Sequence, residues 1–363
     1  SGTLILKSLD EDTAREACVA LWILHSDKTN PTVEDVLRYT QESNLEKAHK
    51  KLLTELKKTG RLWDVFEHVE KPLIAIVERM RKDGVRVDIS YMQKLSAEYR
   101  AELARIEKKI YRHAGHEFNI NSPAQLSEVL FTELKLVPPR HKKTGTGRLS
   151  TRESELEKLH TVHPIIAEIL SYRELAKLLS TYIVVIPKMI AADGRLHAEF
   201  LQAGTTTGRM ASQNPNLQNI PIRTEYGRRI RNSFVADTGY MLASLDYSQI
   251  ELRIAAGLSG DKKLVTVFQE GKDVHAAVAS QVFGVSEEKV TPEMRRRAKV
   301  INFGILYGMG VNALRANLGE EVSREEASRF LNGYFNRFPE LAAFLEKTKL
   351  DAARNGHTET LYG

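Results

Sequence analysis

The sequence from position 295 to position 308 reads RRRAKVINFGILYG. Cations and then aromatic rings recur in it every four residues, at Arg295, Lys299, Phe303 and Tyr307. Residues four apart lie near one another on a helix surface, so this spacing predicts one stripe about 18 Å long at 1.5 Å per residue. The preceding Thr291 and Pro292 are typical of an N-cap and a first helical position, and they predict where the helix begins.

The order of groups along this stripe indicates a ligand. The cations lie toward the helix N-terminus, where the dipole also favours anions, so this end suits phosphate, and the rings could stack on a base and a sugar. The alternative is an amphipathic helix with a solvated basic end and buried rings. Arg296 and Arg297 add charge beyond what solubility needs, and Gly304 and Gly308 weaken the helix unless something approaches closely. These four residues favour the ligand.

A second motif lies at positions 245–253, which read LDYSQIELR. The apolar run from Met241 to Leu245 predicts a short buried strand, and Asp246 follows directly where the strand would lead into a helix. A carboxylate there would lie at the mouth of a cleft and suits Mg²⁺, which prefers oxygen ligands. The alternative is an N-cap aspartate for the following helix, and this motif alone leaves both interpretations open.

The bulk composition is that of a globular protein. The chain has 363 residues, 42% of them apolar and 28% charged, which predicts two or more subdomains. No apolar run approaches the roughly 20 residues that cross a bilayer, so we expect an intracellular protein. The single cysteine, Cys18, excludes a disulfide within the chain and a cysteine-rich zinc site.

Charge adds a weaker argument for a polyanionic partner. Lysine and arginine exceed aspartate and glutamate by 6, and the pI is near 9.1. Many proteins of this pI bind no nucleic acid, so the distribution of charge matters more than the sum. Basic residues are grouped at positions 140–148, 223–231 and 295–299.

Local patterns elsewhere predict a mostly helical chain. Apolar residues at steps of three and four predict a long helix from Met92 that ends near Gly115, and Ser122 with Pro123 begins another. Helical patterns also cover 164–190 and most of 246–355, with an N-cap at Ser323. Positions 195–202 alternate like a strand, and positions 140–150, without apolar residues apart from Leu149, predict an exposed loop.

Together these motifs resemble those of family A DNA polymerases of the bacterial DNA polymerase I type. A third match is Thr207-Gly208-Arg209 with NPNLQNIP at 214–221, and the resemblance runs from about Leu4 to Gly363. It implies an α+β, mainly helical, right-hand polymerase architecture. Its parts would be an exonuclease-like remnant (1–66), a thumb with its tip near 140–150 (67–194), the first part of an antiparallel-sheet palm (195–259), fingers with the nucleotide helix 292–308 (260–355) and a return to the palm (356–363).

The resemblance also assigns chemical roles. Asp246, with the backbone carbonyl of Tyr247, would ligate two Mg²⁺ ions, which activate the primer 3′-hydroxyl and stabilise the leaving oxygen in deoxynucleotide transfer. Arg295, Lys299 and His275 would bind the triphosphate, and Lys299 would donate a proton to pyrophosphate. The nucleotide-binding set implied is Arg295, Lys299, Phe303, Tyr307, His275, Gln249 and Glu251.

Two of these residues imply substrate selectivity. Glu251 resembles the residue that excludes a 2′-hydroxyl, so the substrate would be a deoxynucleotide. Phe303, where some relatives carry tyrosine, lacks a hydroxyl that could replace a missing 3′-hydroxyl, and this implies poor use of dideoxynucleotides.

The DNA contacts implied are of two kinds. Minor-groove contacts near the primer terminus would check base-pair geometry through acceptors that every correct pair presents, and basic residues would neutralise backbone phosphates. Arg209, Gln249 and Gln218 belong to the first kind, and the thumb-tip cations belong to the second. The full DNA-binding set is Arg209, Gln218, Asn219, Arg140, Lys142, Lys143, Arg148 and Arg229.

The chain departs from the family at both ends. No set of carboxylates in positions 3–66 resembles a two-metal nuclease site, so we expect no proofreading. Family members continue past the segment that matches Thr358–Gly363 into a palm motif, His-Asp-Glu, whose aspartate is the second metal carboxylate. We therefore expect the chain alone to be inactive or nearly so, and to need a complementary C-terminal polymerase fragment.

Two other functions remain as alternatives. One is a DNA-binding relative that has lost catalysis, which the joint presence of Asp246, Lys299 and Phe303 opposes. The other is a single-subunit RNA polymerase, which Glu251 and Phe303 oppose. The preferred function acts on primer-template DNA, either in the bacterial cytoplasm with the nucleoid or in another intracellular DNA compartment.

Overall fold

A computed structural model describes residues 2–136, 145, 147–222, 224–319 and 322–362, with side chains from Glu11 onward. The chain divides into two compact units, Ser1–Ala243 and Ser244–Gly363. Both are mainly helical, and the strands among the described residues form small antiparallel sheets in the first unit, which confirms the predicted α+β, mainly helical class. None of the described helices is both long enough and apolar enough to cross a membrane.

The first unit begins with helices and returns to them between its strands. The capping signals act as predicted: Ser122 Oγ accepts a hydrogen bond from Gln125 N, and Gly115 ends the longest helix with φ +84°. The helices are α1 (Gly2–Leu24), α2 (Val33–Thr40), α3 (Leu45–Lys58), α4 (Arg61–Val65), α5 (Lys71–Asp83), α6 (Ile89–Ala114), α7 (Pro123–Ser127), α8 (Glu153–Leu156), α9 (Pro164–Leu178), α10 (Ile186–Met189) and α11 (Glu225–Arg231).

The described residues of the first unit also form five short strands. They are β1 (Val85–Val87), β2 (Arg195–Leu196), β3 (Glu199–Leu201), β4 (Ala211–Gln213) and β5 (Phe234–Val235). Strand β1 lies between β2 and β5, and β3 pairs with β4, all antiparallel. The strand predicted at 195–202 is therefore two strands that belong to different sheets.

Apolar side chains form two separate cores in this unit. One core lies between α1, α2 and α3 and includes the buried Leu21, Leu52 and Phe66. The other lies along α6 and α9, where the apolar spacing predicts a stripe of six residues. Five of them, Met92, Leu95, Tyr99, Ile106 and Ile110, are fully buried or nearly so, and Leu103 is partly buried against the same core. Helical periodicity thus predicted the buried face of α6 correctly.

The second unit is helical throughout its described elements. Thr291 Oγ1 accepts from Met294 N and Ser323 Oγ accepts from Glu326 N, so both predicted helix starts are confirmed. Its core gathers apolar residues from every helix, with Ile301, Leu314 and Tyr334 among the most buried. The helices are α12 (Ile250–Ser259), α13 (Lys262–Gln269), α14 (Val274–Phe283), α15 (Pro292–Leu306), α16 (Val311–Leu318), α17 (Arg324–Arg337) and α18 (Pro339–Asn355).

The predicted strand at Met241–Leu245 is wrong. This segment is irregular, and Met241 and Leu245 are 87% and 96% exposed. A strand needs a neighbour for its backbone hydrogen bonds and cover for its side chains, and no described residue pairs with this segment or covers it. Asp246 consequently lies in an exposed irregular segment and not at the end of a buried strand.

Candidate nucleotide-binding site

Helix α15 carries Arg295, Lys299 and Phe303 of the predicted stripe, and Tyr307 follows its last residue as the C-cap, so the helix ends two residues before the predicted end at 308. Arg295 and Lys299 are exposed, Phe303 is half-buried and Tyr307 is 62% exposed. The Phe303 and Tyr307 rings are stacked at 18° with centroids 6.5 Å apart. The structure therefore brings all four residues to one accessible face of the second unit, as their spacing predicts.

Arg295, Arg296 and Arg297 of this helix are held by neighbouring carboxylates. Arg295 Nε donates to Asp273 Oδ2 at 2.6 Å, which joins α15 to the N-terminus of α14. Glu293 accepts hydrogen bonds from Arg296 and Arg297. These hydrogen bonds, and to a smaller extent the charges of the two arginines, lower the pKa of Glu293 to about 2. The charge of Arg296 and Arg297 is thus partly offset within the first turns of α15.

His275 lies beside the stripe on α14 and is 2% exposed. Its ring centroid is 5.7 Å from that of Phe303, and Asn302 Nδ2 lies 2.9 Å from His275 Nδ1. Burial lowers the pKa of His275 to about 4; Asp273 opposes this shift, and Arg295 and Lys299 add to it. The ring is therefore neutral at physiological pH, and it lies beside Phe303.

Glu251 and Tyr307 meet across the second unit. Tyr307 Oη donates a short hydrogen bond to Glu251 Oε2, which connects the first turn of α12 with the C-terminal end of α15. Gln249 precedes α12 as its N-cap residue, with φ +53°. The two residues expected near the sugar are thus in contact, although 56 positions separate them in the sequence.

The glycines of α15 have explanations other than ligand approach. A Cβ at Gly304 would lie 2.9 Å from Met309 Sδ, so the residue that approaches Gly304 closely is Met309. Gly308 has φ +74°, a conformation that ends the helix and that side chains other than glycine rarely adopt. Packing against Met309 explains Gly304, and the end of the helix explains Gly308. These two glycines therefore do not support the predicted approach of a ligand.

Asp246 is exposed and lies outside any helix or strand, close to the start of α12. Among the described residues, no group of three or more histidine, cysteine, aspartate or glutamate side chains could hold a metal ion. Asp246 and the Tyr247 carbonyl offer the oxygen ligands that Mg²⁺ prefers, but one carboxylate does not fit a site for two Mg²⁺ ions.

The residues predicted to bind DNA lie mostly in the first unit. Arg209, Gln218 and Asn219 are exposed, and Gln218 Nε2 donates to the Met210 carbonyl at 3.0 Å. Arg229 donates to Glu98 and lies over the Tyr99 ring at 5.5 Å. In the basic loop, Arg148 is exposed, whereas three predicted residues lie outside the described residues: Arg140, Lys142 and Lys143.

Two residues of this site were not predicted from the sequence. Asp273 could have been recognised as an N-cap from its position before an apolar helical pattern, but its ion pair with Arg295 spans 22 positions. Asn302 is a fully buried polar residue among apolar neighbours, and its partner His275 lies 27 positions away. The sequence feature that could have identified Asn302 is a single polar residue on an otherwise apolar helix face.

Comparison with known proteins gives consistent results. The family model described as DNA polymerase family A matches residues 89–363. The thermostable DNA polymerase I of Thermus aquaticus is 47% identical over 348 residues, which cover 93% of this chain and 42% of the relative. DNA polymerase I of Caldicellulosiruptor bescii is 39% identical over 362 residues, covering 96% and 42%. The chain spans about two fifths of the length of the curated relatives it matches.

A solved structure is also similar. The POL domain of Pol1 from M. smegmatis, in complex with DNA primer-template and dNTP, superposes with a TM-score of 0.87 at 34% sequence identity. The match covers 96% of this chain and 63% of that chain. The architecture of the chain is therefore that of a polymerase domain.

Proposed function

This chain belongs to DNA polymerase family A, and from that membership we propose that it binds primer-template DNA and deoxynucleoside triphosphates as part of a DNA-directed DNA polymerase. The observation that carries the proposal is the accessible stripe of α15, with His275 and Glu251 in contact with its rings. The thumb, palm and fingers would have the boundaries predicted from the sequence. The enzyme would act in the bacterial cytoplasm with the nucleoid or in another intracellular DNA compartment.

The cations and rings of α15 suit successive parts of a nucleotide. Arg295 and Lys299, four residues apart and exposed, offer positive charge and hydrogen-bond donors to a triphosphate. Phe303 and Tyr307 offer parallel ring faces for a base and sugar. Lys299 would also donate a proton to the departing pyrophosphate.

The Glu251–Tyr307 contact gives the proposed selectivity for deoxyribose a physical basis. The hydrogen bond fixes the Glu251 carboxylate beside the ring that would pack on the sugar. A 2′-hydroxyl in that place would have to displace a held carboxylate. The RNA polymerase alternative is disfavoured for this reason.

The surface around Asp246 supports a second proposal. Ile250, Ile254 and Leu258 lie on one face of α12, and each is more than 40% exposed. Leu245 and Tyr247, which precede α12 in the same unit, are also exposed, by 96% and 79%. Apolar surface of this kind next to Asp246 favours cover by further polypeptide, and we propose that a C-terminal polymerase segment supplies both the cover and the second metal carboxylate.

Primer extension tests both proposals. We would compare this chain alone with the same chain continued by the C-terminal segment of the Thermus aquaticus relative. The continued chain should extend a primer with deoxynucleotides and the chain alone should not. Asp246→Asn should abolish extension, and Lys299→Ala should slow it about 100-fold, in the range of general acid catalysis.

A matched control separates these roles from loss of charge in general. Arg329 is an exposed cation on α17 of the same unit, and Arg329→Ala should leave the extension rate unchanged. Extension by the chain alone at the rate of the continued chain would disprove the need for a C-terminal segment. Continued chains that fold and bind primer-template, yet add no nucleotide, would favour the non-catalytic DNA-binding alternative.

A further inference from the structure

Asn302 is a polar residue on the buried face of α15. Its side chain is 0% exposed and lies among apolar residues of the second-unit core, including Ile301 and Ile305. Burying an amide group costs free energy unless the amide is hydrogen-bonded. Its Nδ2 lies 2.9 Å from His275 Nδ1, and its Oδ1 has no hydrogen-bond partner among the described residues. The contact with His275 is therefore the polar interaction that offsets the burial of Asn302.

This contact selects one form of the His275 ring. An amide nitrogen can only donate a hydrogen bond, so Nδ1 of His275 must accept with its lone pair. A neutral imidazole that accepts at Nδ1 carries its hydrogen on Nε2. A charged ring would bring an Nδ1 hydrogen against the amide hydrogens of Asn302, which disfavours the cation.

The groups around His275 agree with a neutral ring. Asp273 favours the charged form, whereas burial, Arg295 and Lys299 oppose it, and burial is the largest of these effects on the pKa. The Asp273 carboxylate is also engaged by Arg295 Nε and by the backbone amides of His275 and Ala276. Because these donors already occupy Asp273, it stabilises a charged His275 less than a free carboxylate would.

The second ring nitrogen remains available to a ligand. Within the described part of the chain, Nε2 of His275 makes no hydrogen bond, and it is not among the polar atoms that are sealed from solvent without a partner. Nε2–H is therefore a directed donor beside Phe303, near the two cations that the proposed function assigns to the triphosphate.

We propose that Asn302 is a positioning residue that holds His275 in its neutral Nε2–H form, so that His275 offers the bound triphosphate a hydrogen bond and not a positive charge. The proposal rests on the proposed function for its ligand. Arg295 and Lys299 supply charge at this site, and His275 adds a donor of fixed direction. Asn302 acts through His275 and has no contact with the nucleotide itself.

The form of the ring can be measured without any ligand or activity. Nitrogen NMR of the histidine-labelled chain distinguishes protonated from unprotonated ring nitrogens, and the signals that disappear in His275→Gln identify His275. At pH 7 we expect a protonated Nε2 and an unprotonated Nδ1. In Asn302→Asp, which keeps the shape of the side chain, the carboxylate should accept from Nδ1 and move the hydrogen there. A wild-type ring protonated at Nδ1 would overturn the proposal.

The consequence for the ligand is tested by calorimetric titration of the full chain with dATP. His275→Gln and Asn302→Leu should each weaken binding about 10-fold, the loss of one hydrogen bond to a charged group. The double variant should bind no more weakly than either single variant, because both act through one contact. Asn317→Leu, the same change at an exposed asparagine of α16, should bind as the wild type does.

The outcomes separate this inference from the proposed function. If His275→Gln weakens dATP binding and a folded Asn302→Leu does not, Asn302 has no positioning role. If His275→Gln binds dATP as the wild type does, the triphosphate role of His275 itself fails. Thermal melting of each variant shows whether it is folded, and the ring-nitrogen signals of Asn302→Asp keep the inference testable if the leucine variant does not fold.

Discussion

Asp273 Oδ2 accepts a hydrogen bond from Arg295 Nε at 2.6 Å, while Asp273 Oδ1 accepts from the backbone amides of His275 and Ala276 at 2.8 and 3.2 Å. One carboxylate thus begins helix α14 and holds a cation of helix α15. Burial alone would raise the pKa of Asp273, but the hydrogen bonds from Arg295 and the two amides outweigh burial, and the pKa is lowered. Two helices of the candidate site are aligned through this residue.

The two interactions of Asp273 can be separated by substitution. Asp273→Ala removes both the cap and the ion pair and should lower the free energy of unfolding by about 1 to 2 kcal/mol. Asp273→Asn keeps a capping oxygen and loses the partly exposed ion pair, so its cost should be below about 1 kcal/mol. Urea unfolding at pH 7 measures both. Equal losses would show that the cap contributes little.

The stability of the chain should depend on pH through His275. Its folded pKa is lowered to about 4, whereas an unfolded histidine titrates near 6.5, so between these values the unfolded state binds more protons. Stability due to this group is complete above about pH 6.5 and falls as pH decreases toward 4. Urea unfolding should show a loss of about 2 kcal/mol from this residue between about pH 7.5 and pH 5. In His275→Gln that part of the pH dependence should be absent; an unchanged profile would contradict the assignment.

Sugar selectivity should depend on the contact between Glu251 and Tyr307. In the chain completed by a C-terminal segment, Glu251→Ala should raise ribonucleotide incorporation relative to deoxynucleotide incorporation by about 100-fold. Tyr307→Phe keeps the ring but removes its hydrogen bond to the carboxylate, so its effect should be smaller, about 10-fold. Single-nucleotide incorporation rates measure both ratios. Unchanged selectivity in Glu251→Ala would rule out the proposed role of Glu251.

Phe303 should make the completed enzyme discriminate against dideoxynucleotides. The phenylalanine ring offers no hydroxyl that could replace the missing 3′-hydroxyl of the substrate, and Phe303→Tyr supplies one. We expect poor chain termination by the wild type and improved termination by the variant. A chain-termination assay with mixed dideoxy and deoxy substrates makes the comparison, and equal incorporation of both by the wild type would refute the prediction.

The exposed segment before Asp246 should tolerate polar substitution. Met241, Leu242 and Leu245 are 87%, 60% and 96% exposed, so replacing all three with serine should change the free energy of unfolding of this chain by less than about 0.5 kcal/mol each. The same substitutions should reduce binding of a hydrophobic dye. In the chain continued by a C-terminal segment they should be destabilising, because there the segment would be covered. A large loss of stability in the chain alone would mean that the segment is packed.

Features that depend on residues near one another in the chain could be predicted from local patterns. The stripe of α15 follows from a four-residue spacing on a helix, the buried face of α6 from its apolar periodicity, and the helix starts at Thr291 and Ser323 from local capping chemistry. Helical hydrogen bonds are local, so these residues carry the information themselves. The resemblance of the motifs to those of family A polymerases can likewise be recognised from the sequence alone.

Contacts between residues that are far apart in the sequence depend on the tertiary structure and could not be predicted from local patterns. The Met241–Leu245 run showed that a segment was apolar, but whether a strand forms there depends on a neighbour to pair with and cover it. Gly304 alone indicates close approach by a ligand, whereas in the folded unit Met309 lies against it. The pairs Asp273 with Arg295, His275 with Asn302, and Glu251 with Tyr307 depend on how helices pack across the second unit. Such contacts arise from the folding of the whole unit, and a local pattern contains no information about them.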